Sequence, residues 1–131
     1  MSKVLPRPTD AELAILRVLW ENGPSTVRHV HDALAEARET GYTTTLKLMQ
    51  IMAEKGLVTR DESSRTHVYT ARVPRDITQR QLVSDLMDRA FGGSAAALVL
   101  QALSAHPTSN EELAEIKKLI EDYRDGSKAN D

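Results

Sequence analysis

Apolar residues recur at helical spacing in three separated runs along the first half of this chain. Thr9-Asp10-Ala11-Glu12 opens the first and reads as a capping box, in which a threonine hydroxyl and a glutamate carboxylate each satisfy one free backbone donor. Leu13, Leu16, Leu19 and Trp20, joined by Ile15, form its inner stripe, and Asn22-Gly23-Pro24 stops it. Ser25 is the expected N-cap of a second, shorter helix with Val27, Val30 and Leu34 inward. Its end falls in the polar stretch 36–40, and Gly41 turns the chain into the third run. That run, Tyr42 to Leu57, is the one the others support. Thr45, Leu48, Met49 and Met52 share one face, while Thr43, Lys47, Gln50 and Glu54 share the opposite one.

After Lys55-Gly56 the period changes. Leu57-Val58-Thr59-Arg60 and Thr66 to Arg72 are rich in β-branched and aromatic residues, and the turn-forming stretch Asp61 to Arg65 separates them. Three helices followed by a two-stranded hairpin is the element order of a winged helix-turn-helix. Its expected core is Leu13, Leu16, Trp20, Val30, Leu34, Leu48 and Met52. Pro74 marks a boundary. Ile77, Leu82, Val83, Leu86, Met87, Ala90 and Phe91 then make another amphipathic helix, ended by Gly92-Gly93. Ser94 to Ala105 is apolar almost all round, with Leu98, Leu100 and Leu103 in it. Ser109 with Glu112 forms a second capping box. The helix it opens carries Leu113, Ile116, Ile120 and Tyr123 at the alternating three-and-four spacing of a coiled-coil seam, and a polar tail expected to fray follows from Gly126. The fold class is therefore mainly α with a small β-hairpin. Residues 1–74 are expected to form a winged-helix domain, and residues 75–131 three helices with more apolar surface than one chain can easily cover, as a dimerisation domain has; the alternative is a monomer in which they fold back on the winged helix.

Composition narrows the chemistry. Of 131 residues none is cysteine, which excludes disulfides, thiol catalysis and cysteine-held zinc or iron–sulfur sites. The start of the chain lacks a signal-peptide core and no apolar run is long enough to cross a bilayer, so a cytoplasmic protein is expected. The net charge of −2 hides a split: residues 1–75 carry 11 Lys+Arg against 9 Asp+Glu, and residues 76–131 carry 6 against 10. The first part tolerates phosphate, and the second would avoid it.

The outer face of the Tyr42–Leu57 run offers hydroxyls, an amide and an ammonium at one-turn spacing. An ordinary solvated helix could show the same pattern, but these groups also suit base edges and phosphates. Lys47 can donate to guanine and Gln50 can pair with adenine. Thr43 and Thr44, nearest the helix start, are expected on phosphate. Leu46 and Ile51 flank the polar face, where they could meet thymine methyls or pack inward. Tyr42 could contact a phosphate or pack under the recognition helix, with contact favoured. Ser25 and Thr26 are candidate backbone contacts, and Arg65 and Arg60 would reach DNA from the hairpin, although a solvated charge explains Arg60 equally well. His29 and His31 look like a metal pair, but residues two apart on a helix point to different sides. Asp61, Glu62 and His67 are the tightest set suited to catalysis. They lie across a turn where solvent levels their pKa values, so no enzyme and no cofactor are expected. A metal-responsive regulator and a winged helix serving only protein contact remain as alternatives.

The run TDAELAILRVLWENGPSTVRHVHDAL, with YTTTLKLMQIMAEKGLVTRD and a hairpin ending HVYTARV, resembles the penicillinase-repressor (BlaI/MecI) family of bacterial transcription regulators. The resemblance spans nearly the whole chain and is strongest from Thr9 to Val73. It implies a winged-helix domain, a three-helix dimerisation domain, and a homodimer acting as a repressor on a palindromic operator of double-stranded DNA. The dimer would be built on Leu86, Phe91, Leu98, Leu100, Leu103, Leu113, Ile116, Ile120 and Tyr123. Two heads on one dimer are expected about one DNA turn apart, roughly 34–36 Å, or a multiple of it. In relatives that control β-lactam resistance, a membrane-bound sensor protease triggers cleavage of an Asn-Phe bond in the dimerisation helix. Here the corresponding helix reads Leu100-Gln101-Ala102-Leu103. Gln101 and Ala102 thus mark the candidate cleavage region, although the bond itself is not kept. The cysteine motif of the copper-responsive relatives is absent.

Overall fold

The structure, a computed structural model, describes residues 6–35 and 40–130. In chain order the elements are α1 (Asp10–Asn22), β1 (Ser25–Thr26), α2 (Val27–Ala35), α3 (Tyr42–Lys55), β2 (Val58–Asp61), β3 (Val68–Ala71), α4 (Arg75–Ala90), α5 (Ala95–Ala105) and α6 (Asn110–Asn130). The expected end of the second helix falls mostly outside the described residues. Two compact units divide the chain, one ending at Leu82 and the other running from Val83.

In the first unit α1 starts as its sequence dictates. The Thr9 N–H donates to Glu12 Oε1 at 2.9 Å, and the Glu12 N–H donates to Thr9 Oγ1 at 3.2 Å. Gly23, at φ 78°, ends the helix by donating to the Leu19 carbonyl at 2.8 Å. Ser25 departs from its expected role as N-cap. It sits in β1 opposite Tyr69, and its hydroxyl donates to the Gly23 carbonyl at 2.8 Å. Thr26 caps α2 instead, its Oγ1 accepting the His29 N–H at 3.1 Å. The expected two-stranded hairpin is accordingly a three-stranded antiparallel sheet of order β1-β3-β2, with Arg60 opposite Tyr69 and Val58 opposite Ala71.

Ile15, Leu16, Val30, Met49, Met52 and Leu57 are completely buried, and Tyr69 is the largest side chain sealed in with them. Of the expected core, Leu16, Val30 and Met52 are buried, while Trp20, Leu34 and Leu48 are half-buried against it. Leu13 is half-buried and lies outside the cluster. The Trp20 indole N–H donates to the Val73 carbonyl at 3.0 Å, tying α1 to the segment after the sheet. Thr78 is buried too, so the first unit extends into α4, past the boundary expected after residue 74.

Among the described residues of this unit Glu12, only 2% exposed, is the buried charge. Lys55 Nζ lies 2.9 Å from both of its carboxylate oxygens, joining the start of α1 to the end of α3. Burial pushes the Glu12 pKa up, but the Thr9 N–H and the Lys55 ammonium outweigh that and hold it below its ordinary value.

The second unit has a different character. Ser94 caps α5 by accepting the Ala97 N–H at 3.1 Å, and the Ser109 hydroxyl accepts the Glu112 N–H at 3.0 Å, one arm of the expected capping box. Helix α6 continues to Asn130 where a frayed tail from Gly126 was expected. None of residues 83–126 is buried. Leu86, Leu100, Leu103, Leu113, Ile120 and Tyr123 are exposed, as are Val83, Val99 and Leu119, while Phe91, Leu98 and Ile116 are half-buried. Among the described residues no helix is long and apolar enough to cross a membrane.

A depressed carboxylate pKa contributes stability that is whole above the ordinary carboxylate range and lost as pH falls through the lowered value. Urea unfolding followed by Trp20 fluorescence should therefore show the wild type more stable than Glu12→Gln at neutral pH, by about 1–3 kcal/mol. That gap should close as the solution is acidified through the carboxylate range.

Candidate nucleic-acid interface

At about 1.5 Å per residue, the 14 residues of α3 give a rod of roughly 21 Å. Its two faces are sorted as the sequence implies. Thr45, Met49 and Met52 are buried, and Thr43, Thr44, Lys47, Gln50 and Glu54 are exposed. Leu46 and Ile51 are half-buried at the borders, and Leu46 packs against the core, which resolves its two readings toward packing.

Gly41 occupies the N-cap of α3 and supplies no side-chain hydrogen bond. The first-turn N–H groups thus keep the partial positive charge that a phosphate can use. At the other end Gly56, at φ 87°, takes the left-handed conformation that closes a helix, and the Leu57 N–H donates to the Met52 carbonyl at 2.9 Å.

Tyr42 stands exposed beside this N-terminus instead of packing under the helix. The Arg28 guanidinium lies 4.6 Å over its ring, and the His31 ring meets it edge-on at 5.8 Å. Arg28 was missed in the sequence reading. The signal was present, since it is a basic residue in the first turn of α2 that falls off the Val27, Val30, Leu34 stripe.

On the hairpin, Arg65 is exposed in the β2–β3 turn. Arg60 is more constrained. A hydrogen bond with the Tyr69 side chain and the Glu62 carboxylate at 3.6 Å both reinforce its charge. Thr26, Arg28, Tyr42, Gln50, Arg60 and Arg65 border one concave face of about 300 Å³ between α2, α3 and the hairpin. Lys47, Thr43 and Thr44 lie on the open side of α3, outside that lining. Ser25 does not join the set as a side-chain contact, being buried with its hydroxyl engaged by Gly23.

The other candidate chemistry is structural in its contacts. Asp61 accepts the Ser63 N–H at 2.9 Å, which lowers its pKa and shapes the turn. Glu62 lies 3.9 Å from His67 as well as near Arg60, all within reach of solvent. His31 Nδ1 is 3.3 Å from Asp32, and His29 is exposed. Among the described residues, no group of three or more histidine, aspartate or glutamate side chains could hold a metal ion.

Three helices, the third with a bare polar side, and a small antiparallel wing define a winged helix-turn-helix of the DNA-binding kind. More particularly, the sequence profile of the penicillinase repressor family matches residues 8–122, and the chain belongs to that family of transcriptional regulators, which are not enzymes. The transcriptional regulator BlaI of Mycobacterium tuberculosis is 38% identical over 98 residues, covering 72% of this chain and 71% of that protein. The penicillinase repressor of Bacillus licheniformis is 22% identical over 126 residues, covering 96% of this chain and 98% of its own length. Among solved structures, the DNA-binding domain of the repressor BlaI matches with a TM-score of 0.50 at 23% identity, covering 56% of this chain and 90% of that one. The monomeric form of Bacillus licheniformis BlaI in complex with the blaP half-operator matches equally, with a TM-score of 0.50 at 23% identity, covering 57% and 92%. Likeness at that identity speaks for the fold.

Base contacts and phosphate contacts leave different signatures in a binding experiment. Arg65→Ala should weaken binding to every duplex alike and lower the salt slope by about 1. Lys47→Ala or Gln50→Ala should instead cost about 1–3 kcal/mol on the preferred sequence only. Fluorescence anisotropy across a salt series, on selected and scrambled duplexes, reads both.

Proposed function

We propose that this chain is a transcriptional repressor that binds a palindromic operator as a homodimer, one first unit per half-site. The observation that carries the reading is the bare outer side of α3: Lys47, Gln50, Thr43 and Thr44 are all exposed on a helix whose opposite side buries Thr45, Met49 and Met52. In this reading α3 enters the major groove, with Lys47 and Gln50 on base edges and Thr43 and Thr44 on phosphate. Tyr42, Thr26 and Arg28 contact the backbone beside the α3 N-terminus, and Arg65, with Arg60, reaches it from the wing. Glu54 lies a turn beyond Gln50, where the helix leaves the groove.

The second unit is the dimerisation part. Support comes from its lack of any buried side chain between residues 83 and 126, against the apolar content of α5 and α6. Water in contact with Leu100, Leu119, Ile120 and Tyr123, which are 61%, 67%, 55% and 77% exposed, is costly, and a second copy would relieve it. Derepression follows from whatever loosens this unit, since one head alone has half the contacts. Cleavage near Gln101 and Ala102, triggered by a membrane-bound sensor protease, is one such route. Both residues are exposed in the middle of α5, so the helix must open locally before a protease can engage it. The working location is the cytoplasm, where the DNA is.

A mobility shift on the DNA upstream of the chain's own coding region should appear at low salt and fade as salt rises; its absence, or indifference to salt, refutes DNA binding. For the dimer, Leu100→Glu combined with Ile120→Glu should convert the sedimenting species from two chains to one and weaken operator binding at least tenfold. An unchanged mass would reject this interface.

A further inference from the structure

Glu12 and Lys55 lie 43 positions apart in the first unit's sequence, and neither belongs to the groove-facing set. Glu12 is 2% exposed and cannot meet DNA. Its carboxylate is nonetheless held from two sides. One oxygen accepts the Thr9 N–H at 2.9 Å, both accept from Lys55 Nζ at 2.9 Å, and its own N–H donates to Thr9. Lys55 is the last residue of α3, and Gly56 stops the helix directly after it.

The remaining attachment of α3 is apolar: the buried stripe of Thr45, Met49 and Met52, with Leu46, Leu48 and Ala53 packed half-buried beside it. Apolar burial is strong but non-directional, so a stripe of this kind resists separation better than it resists rotation or tilt. A charge-assisted hydrogen bond restricts both distance and angle. Thr43 stands twelve residues before Lys55, about 18 Å along the axis, so a tilt of about 10° at the clamped end would move it by roughly 3 Å. Hydrogen bonds to base edges tolerate only about 0.5 Å.

We propose that the Glu12–Lys55 ion pair is a positioning device for operator recognition: it fixes the pitch at which α3 presents Thr43, Lys47 and Gln50 without touching DNA itself. This rests on the DNA-binding reading above. The pair transmits the fixed geometry of the α1 capping box to the far end of the recognition helix. Its loss lowers the power to tell one sequence from another while leaving general attraction to phosphate intact.

The test is the double variant Glu12→Gln, Lys55→Met in the full chain. Glutamine still accepts the Thr9 N–H, and a buried ion pair replaced on both sides by neutral groups leaves no stranded charge, so folding is retained. Affinity is measured for a 30-bp duplex that the wild type selects from random-sequence DNA and for a scrambled duplex of the same composition, across a salt series. The expected result is a selected-to-scrambled ratio at least tenfold below wild type, with scrambled-duplex affinity and salt slope unchanged. Should the double variant melt below the assay temperature, Glu12→Gln alone gives the same reading, because the Lys55 side chain is 39% exposed and can turn to solvent. Wild-type discrimination in a folded variant overturns the proposal and leaves the pair a stability element only. A parallel fall on both duplexes with a salt slope smaller by about 1 overturns it too, because Lys55 would then be a phosphate contact. A wild type that selects no duplex refutes the DNA-binding reading instead, so the two failures are distinct.

Discussion

The first unit depends on burying a single helical stripe. Thr45, Met49 and Met52 leave water together, and the two methionines do so in one cluster with Ile15, Leu16, Val30, Leu57 and Tyr69. Each buried apolar side chain contributes about 1.5–3 kcal/mol, so this shared stripe outweighs any polar contact nearby. The sheet then closes the remaining opening with Tyr69, and the Trp20 bond to Val73 draws the chain after the sheet back onto α1. With one side of α3 committed inward, the other is committed outward.

Much of this was legible in the sequence because helical periodicity is a local signal. The α1 capping box formed as its four residues imply, and the inner and outer positions of α3 are sorted as expected. What was not legible depends on contacts distant in sequence. Ser25 has the residue type of a cap, yet a strand partner more than forty positions away claims it, and a strand of two residues carries no period to announce itself. Tyr69 looked like any wing aromatic, because alternation along four residues does not say which side faces a core. The ion pair of Glu12 was hidden by its more obvious role in the cap.

The boundary shows the same limit. Proline at 74 is a true local break, but compactness is decided by packing, and buried Thr78 keeps the start of α4 with the first unit. The second unit was legible for the opposite reason. A surplus of apolar residues can be counted without knowing where anything goes, and the lack of any buried side chain between 83 and 126 is that surplus in three dimensions.

The division of labour around α3 also bears on how such proteins diversify. The side chains that hold this helix and those that would meet a ligand occupy separate positions, and exposed substitutions usually change stability by no more than about 0.5 kcal/mol. Exchanging Thr43, Thr44, Lys47 and Gln50 therefore leaves the scaffold untouched. A lineage of such chains can acquire new targets by point changes on one strip of surface, with its interior inherited unchanged.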